Sequence, residues 1–124
     1  MEFKIDTKDN FTLIVPVSTH INAIMAEELG ELCEKYTQNG SNNFIIDMLN
    51  ATSADSSALP GLLGLHETCY ANEQSLVFTG ITPGFWAVLK ENEADLLLNI
   101  APKMIEAIDI VNMEILERDL LGEE

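Results

Sequence analysis

Phe3 and Ile5 alternate with polar neighbours, and Phe11, Leu13 and Val15 alternate again after Lys8-Asp9-Asn10. A two-residue period of this kind predicts two short strands joined by a turn, hence a hairpin. From Ile21 the period lengthens: Ile24, Met25, Leu29, Leu32, Cys33 and Tyr36 recur at the i, i+3, i+4 spacing of an amphipathic helix. Asn22 can cap its start and Asn39-Gly40 can end it. The run Phe44-Ile45-Ile46-Asp47-Met48-Leu49, bounded by Asn-rich segments, predicts a strand buried on both faces.

A second helical stripe follows in Leu59, Leu62, Leu63, His66, Cys69 and Tyr70, then a buried strand at Ser75–Thr79. A short helix carries Phe85, Trp86, Val88 and Leu89, with both rings expected in the core. Leu96–Ile100 reads as a final edge strand. Pro102 suits the first turn of a closing helix whose stripe is Met104, Ile105, Ile108, Val111, Asn112, Ile115 and Leu116. Ile110, Met113 and Leu120 lie off that stripe and widen its apolar surface, which suits docking or homodimerisation. The order β-β-α-β-α-β-α-β-α predicts an α/β fold, a mixed, mostly parallel sheet with about four helices packed on it. With 124 residues and no repeat or linker, residues 1–124 are read as one domain.

Charge narrows the function classes. Six Lys and Arg against 21 Asp and Glu give a net charge of −15. Nucleic acid and anionic membrane surfaces are poor partners for such a chain, because both draw affinity from clustered cations. A basic protein surface would be steered towards it. No apolar run is long enough to span a membrane, and the Met1–Asp6 start lacks signal-peptide form, so a cytoplasmic protein is expected. Cys33 and Cys69 are far apart, with no CxxC, and read as buried thiols rather than a zinc site or redox pair. No metal or cofactor is expected.

Ligands of open α/β sheets bind beyond the carboxyl ends of the strands, so the segment after Phe44–Leu49 is the place to look. It runs Asn50-Ala51-Thr52-Ser53-Ala54-Asp55-Ser56-Ser57-Ala58-Leu59-Pro60-Gly61. Local physics favours a helix cap there, since Ser and Asp accept from first-turn amides. Pro60 confines the start of the regular helix to between about Ser57 and Leu59, leaving Asp55 and Ser56 in an exposed turn at the positive end of the helix dipole. No Lys or Arg lies between Lys35 and Lys90, which excludes a GxxxxGK phosphate loop. A phosphate on Ser56 would find no arginine in this segment and would add charge beside Asp55, suited to ejecting a partner. His20 or His66 with Ser56 and Asp55 lacks a nucleophile elbow or oxyanion motif, so no catalytic activity is expected.

These residues resemble the STAS domains (sulfate transporter and anti-sigma factor antagonist), particularly the small bacterial anti-sigma factor antagonists. The resemblance rests on the strand Phe44–Leu49, then Asp55-Ser56-Ser57-Ala58-Leu59 opening a helix, then Leu76-Val77-Phe78-Thr79-Gly80-Ile81-Thr82-Pro83. Ala58 stands where that family usually has Gly, and Ser18–Asn22 where antagonists often carry Gly-Glu-Leu-Asp. The resemblance implies a partner-switching protein that binds a GHKL-type serine-kinase anti-sigma factor until Ser56 is phosphorylated, and is reset by a phosphatase. Ser57 is the secondary hydroxyl. Implied partner contacts are Asp55, Ser56, Ser57, Asn22, Ile24, Pro83 and Trp86. A constitutive STAS-like subunit of a lipid-transport ABC complex, without phosphorylation, is the alternative.

Overall fold

A computed structural model describes residues 2–122. Strands β1 (Phe3–Thr7) and β2 (Thr12–Pro16) form the expected antiparallel hairpin, closed by Lys8 N donating to Phe11 O at 2.8 Å. β2 runs parallel to β4 (Asn43–Asp47), and β4 parallel to β6 (Ser75–Thr79), giving the order β1-β2-β4-β6. A separate pair, β3 (His20–Ile21) and β5 (Ser53–Ala54), forms a small parallel sheet. Helices α1 (Ala23–Gln38), α2 (Leu59–Ala71), α3 (Pro83–Glu91) and α4 (Met104–Gly122) complete the fold.

The strand alternation sorts the core into two layers. Ile14, Phe44, Ile46, Leu76 and Phe78 face one side and pack with Met25, Leu29, Leu62 and Phe85 of α1, α2 and α3. Ile45 and Val77 face the other side, against Ala107 and Val111 of α4. Three helices thus cover one face and one helix the other. The fully buried Phe44, Phe78 and Phe85 each contribute about 1.5–3 kcal/mol by burial.

Helix α1 begins as its sequence predicts, with Asn22 Oδ1 accepting from Met25 N at 3.0 Å. Arg118 of α4 reaches around to the starts of β4 and β6. Its Nη2 donates to Asn43 Oδ1 at 2.7 Å and its Nη1 to Ser75 Oγ at 3.0 Å, so one of the few cations is committed to the scaffold.

Three expectations need correction. Leu96–Ile100 is not a strand: Ala94–Leu96 forms a 3₁₀ turn, and only Ile100 bridges to Phe78. The edge of β6 is met instead by Phe78 N donating to Asn99 O at 2.9 Å and Ala101 N to Phe78 O at 2.8 Å, after which Pro102 turns the chain away. Pro102 accordingly precedes α4 rather than opening it. On α4, Ile105 and Leu116 are exposed while Ile110 packs inward, because the single helix on this face buries only the stripe centred on Ala107 and Val111.

Candidate functional site

Three segments converge beyond the ends of β4 and β6. Thr52 N and Ser53 N both donate to Thr19 O, at 2.9 and 3.2 Å, and Asp55 N donates to Ile21 O at 2.7 Å. These bonds hold the 50–55 loop against 18–22. From the third segment, Thr82 Oγ1 donates to Ala51 O at 2.5 Å and also caps α3. Gly84 lets the start of α3 sit against the Thr52 carbonyl, with which any Cβ there would collide.

Two further contacts fix where the loop leaves β4. Asp47 Oδ1 accepts from Leu49 N at 3.1 Å, and burial raises the Asp47 pKa despite that hydrogen bond, which lowers it. Gly80, at φ +68°, packs against the same carboxylate and has no room for a side chain.

On this platform the chain makes one 3₁₀ turn, Ser56–Ala58, before α2 begins at Leu59 with Pro60 in its first turn. The expected side-chain cap is absent: neither Asp55 nor any serine caps this turn or α2. The 3₁₀ turn explains the difference, since Ala58 N bonds to the Asp55 carbonyl at 3.0 Å and Ala58 itself occupies the cap position of α2. Ser56 and Ser57 are exposed, and their hydroxyls have no hydrogen-bond partner among the described residues.

His20 was not expected at this place. Pairing of β3 with β5 sets it beside Ser53, and its Nδ1 shares a 2.8 Å hydrogen bond with Ser53 Oγ. Its Nε2 lies 3.8 Å from Asp55 Oδ2, an ion pair when the ring is protonated. The histidine therefore engages the residues before Ser56. Strands of two residues are too short for periodicity to reveal, so no sequence signal pointed to this pairing.

Asp55, Ser56 and Ser57 are exposed at the loop; Asn22 is spent on its cap, and Ile24 projects into solvent at 64% exposure. Pro83 is exposed at the start of α3. The aromatic pair divides: Phe85 is fully buried, while Trp86, expected in the core, is 37% exposed with Lys90 Nζ 5.8 Å from its ring centre. A helix buries one face, and adjacent residues point about 100° apart. Cys33 and Cys69 are buried, as expected. Among the described residues no group of three His, Cys, Asp or Glu could hold a metal ion, and no helix is long and apolar enough to cross a membrane.

The sequence matches the STAS domain over residues 2–107. The chain belongs to the STAS family. Solved STAS-type structures superpose on it closely at low sequence identity. An anti-sigma factor antagonist from Mycobacterium paratuberculosis has a TM-score of 0.74 at 14% identity, covering 90% of this chain and 93% of that one. The anti-sigma factor antagonist SpoIIAA in its unphosphorylated form has a TM-score of 0.70 at 17% identity, covering 90% and 96%. RsbS of Moorella thermoacetica has a TM-score of 0.72 at 18% identity, covering 90% and 96%. Comparison with curated proteins finds no significant match. The STAS fold of this chain, with its mixed, mostly parallel sheet and four helices, is thus common to proteins of the anti-sigma factor antagonist class.

Proposed function

We propose that this STAS domain is a phosphorylation-switched binding protein: unphosphorylated, it binds a serine-kinase anti-sigma factor of the GHKL type or a related switch kinase, and phosphate on Ser56 releases it. The observation that carries the reading is the Ser56 hydroxyl, exposed and unpaired in a 3₁₀ turn directly after Asp55. A kinase needs such an accessible hydroxyl, and a cap serine would have to give up its helix bond first. Phosphate would add roughly two negative charges beside Asp55, and no Lys or Arg between Lys35 and Lys90 is present to pair with them. Repulsion and desolvation then oppose the packing of a partner surface. Asp55, Ser57, Ile24, Pro83 and Trp86 form the rest of the contact surface, with Asn22 holding α1 in place.

In this reading the chain is one non-enzymatic cytoplasmic domain, reset by a separate phosphatase. It also carries a homodimer through the exposed Met113 and Leu120 of α4, checked by light scattering of wild type and Met113→Glu at high concentration. The principal test is a native-lysate pull-down with wild type, Ser56→Ala and Ser56→Asp, with mass spectrometry of captured proteins and of the Ser56 peptide. Capture of a kinase by wild type and Ser56→Ala, lost with Ser56→Asp, supports the switch. Equal capture of one assembly by all three, with no phosphopeptide, refutes it in favour of a constitutive subunit.

A further inference from the structure

Between α1 and α2 lies an open groove of about 730 Å³, a volume in the range of binding sites rather than packing defects. Its lining begins at Ser57 and Pro60, beside the Ser56 turn, and runs along α1 from Ala23 to Thr37, about 21 Å at 1.5 Å per residue. The helices touch where Gly61 meets Ala26, since a Cβ on Gly61 would lie 3.0 Å from the Ala26 Cβ. Further along, the groove stays open at Gly30 of α1 and Gly64 of α2.

These two glycines are the unusual feature. A Cβ built on either would find nothing within 4 Å, so nothing in the protein itself requires glycine there. Each sits within a helix, where glycine is less stable than alanine. The chain thus keeps two destabilising residues whose effect is to leave the groove free of side chains. Around this apolar floor the charged lining residues are, among the described residues, Glu27 and Glu34 of α1, both exposed, with no lysine or arginine beside them. Glu27 and Glu34 are seven residues apart, two turns on the same helix face, which places them about 10.5 Å apart along the axis.

We propose that this groove receives one face of an α-helix from a basic partner protein, a helix with small or apolar residues against Gly30 and Gly64 and with Lys or Arg seven residues apart reaching Glu27 and Glu34. Three observations select this occupant. The glycines permit backbone-close approach, the groove has the length of about four helical turns, and the charge on its rim is of one sign at heptad spacing. A second copy of this chain does not meet these requirements, because none of its six Lys and Arg lie seven residues apart on a helix. The inference goes beyond the Ser56 switch and holds whether or not Ser56 is ever phosphorylated.

The test titrates the full-length, isotope-labelled protein with a synthetic amidated helical peptide of about 18 residues. The peptide carries an Ala/Leu face and two Lys seven residues apart; a control carries Glu at those two positions. The expected result is saturable shifts of the amides of Ala26, Gly30, Gly64 and Thr68 with the Lys peptide only. Affinity should fall about tenfold or more in Glu27→Lys/Glu34→Lys, and that variant should bind the Glu peptide instead. Gly30→Ala/Gly64→Ala should raise the Tm and weaken peptide binding, which separates loss of the groove from loss of the fold. No saturable shift at about 1 mM peptide overturns the proposal. So does equal binding of both peptides, a shifted surface elsewhere, or groove shifts produced by protein concentration alone. A Ser56→Asp variant that binds the peptide as wild type does leaves this proposal standing, whatever the pull-down says of the switch.

Discussion

The Tyr70 hydroxyl of α2 donates to Glu114 Oε1 of α4 at 2.8 Å, joining helices that cover opposite faces of the sheet. The contact passes around the outer edge of β6. Asn99, from the segment that bridges that edge, donates its Nδ2 to the Tyr70 oxygen at 2.9 Å and to Glu114 Oε2 at 3.2 Å. A half-strand with one bridge pair is thereby held where a full strand would have relied on its ladder.

Tyr70→Phe removes the donor to a carboxylate and an acceptor for Asn99, and should destabilise the fold by about 1–3 kcal/mol in urea denaturation. Burial is the main cause that pushes the Tyr70 pKa up to about 12 from 10.0. The unfolded chain then ionises first as pH rises, so this contribution to stability is complete below pH 10 and is lost between pH 10 and about 12. The variant should lack that part of the alkaline decline.

Burial pushes the Cys33 thiol up to about 12 and the Cys69 thiol up to about 11, from 9.0. The thiolate is the nucleophile, so at neutral pH each should alkylate much more slowly than a free thiol, Cys33 more slowly than Cys69. Iodoacetamide with mass mapping checks this. Both should react at ordinary rates once guanidinium unfolds the chain.

His66 packs at a tilt on Tyr70, with ring centres 4.6 Å apart and planes 43° apart, and its buried Nε2 has no hydrogen-bond partner among the described residues. Burial lowers its pKa below 6.5, outweighing the opposing pull of Glu114 and Glu67. The unfolded chain therefore takes up the proton first as pH falls. The contribution to stability is present above pH 6.5 and is lost as pH drops through the folded value. Tm measured from pH 8 to 5 should fall in wild type and fall less in His66→Phe.

Gly84→Ala places a methyl group against the Thr52 carbonyl and should destabilise the fold by roughly 1–3 kcal/mol. Because Thr52 belongs to the loop that leads to Ser56, capture of a partner should weaken even though no contact residue has changed. Unaltered amide shifts across 50–58 in this variant would show that α3 does not buttress the loop.

Much of this architecture was legible because each long element carries its own period. Of the apolar run Phe44–Leu49, Phe44–Asp47 became part of the inner strand Asn43–Asp47 while Met48 and Leu49 lie beyond its end, and Asn22 followed by the Met25–Leu29–Cys33 stripe gave α1 with its cap. The placing of the helix start after Ser56 followed from Pro60, whose ring geometry is local. The Asp55-Ser56-Ser57 motif was likewise legible as chemistry held in consecutive residues.

Other features depended on partners distant along the chain. Asp and Ser have the composition of a helix cap, yet the chain makes a 3₁₀ turn there in which Ala58 N bonds to the Asp55 carbonyl and no side chain caps it. The pairing of His20 with Ser53 and Asp55 arises from two strands of two residues, which have no period to read. Whether Leu96–Ile100 extends the sheet, and whether Phe85 or Trp86 enters the core, rests on what already occupies the neighbouring space. By itself the sequence determined the longer strands and the helices, the family and the exposed serine motif, because periodicity, proline geometry and net charge act locally or in sum. Only the tertiary structure decided the open α1–α2 groove, the histidine beside the Ser56 loop and the clamp around β6, because each is made by side chains that folding brings together from separate segments.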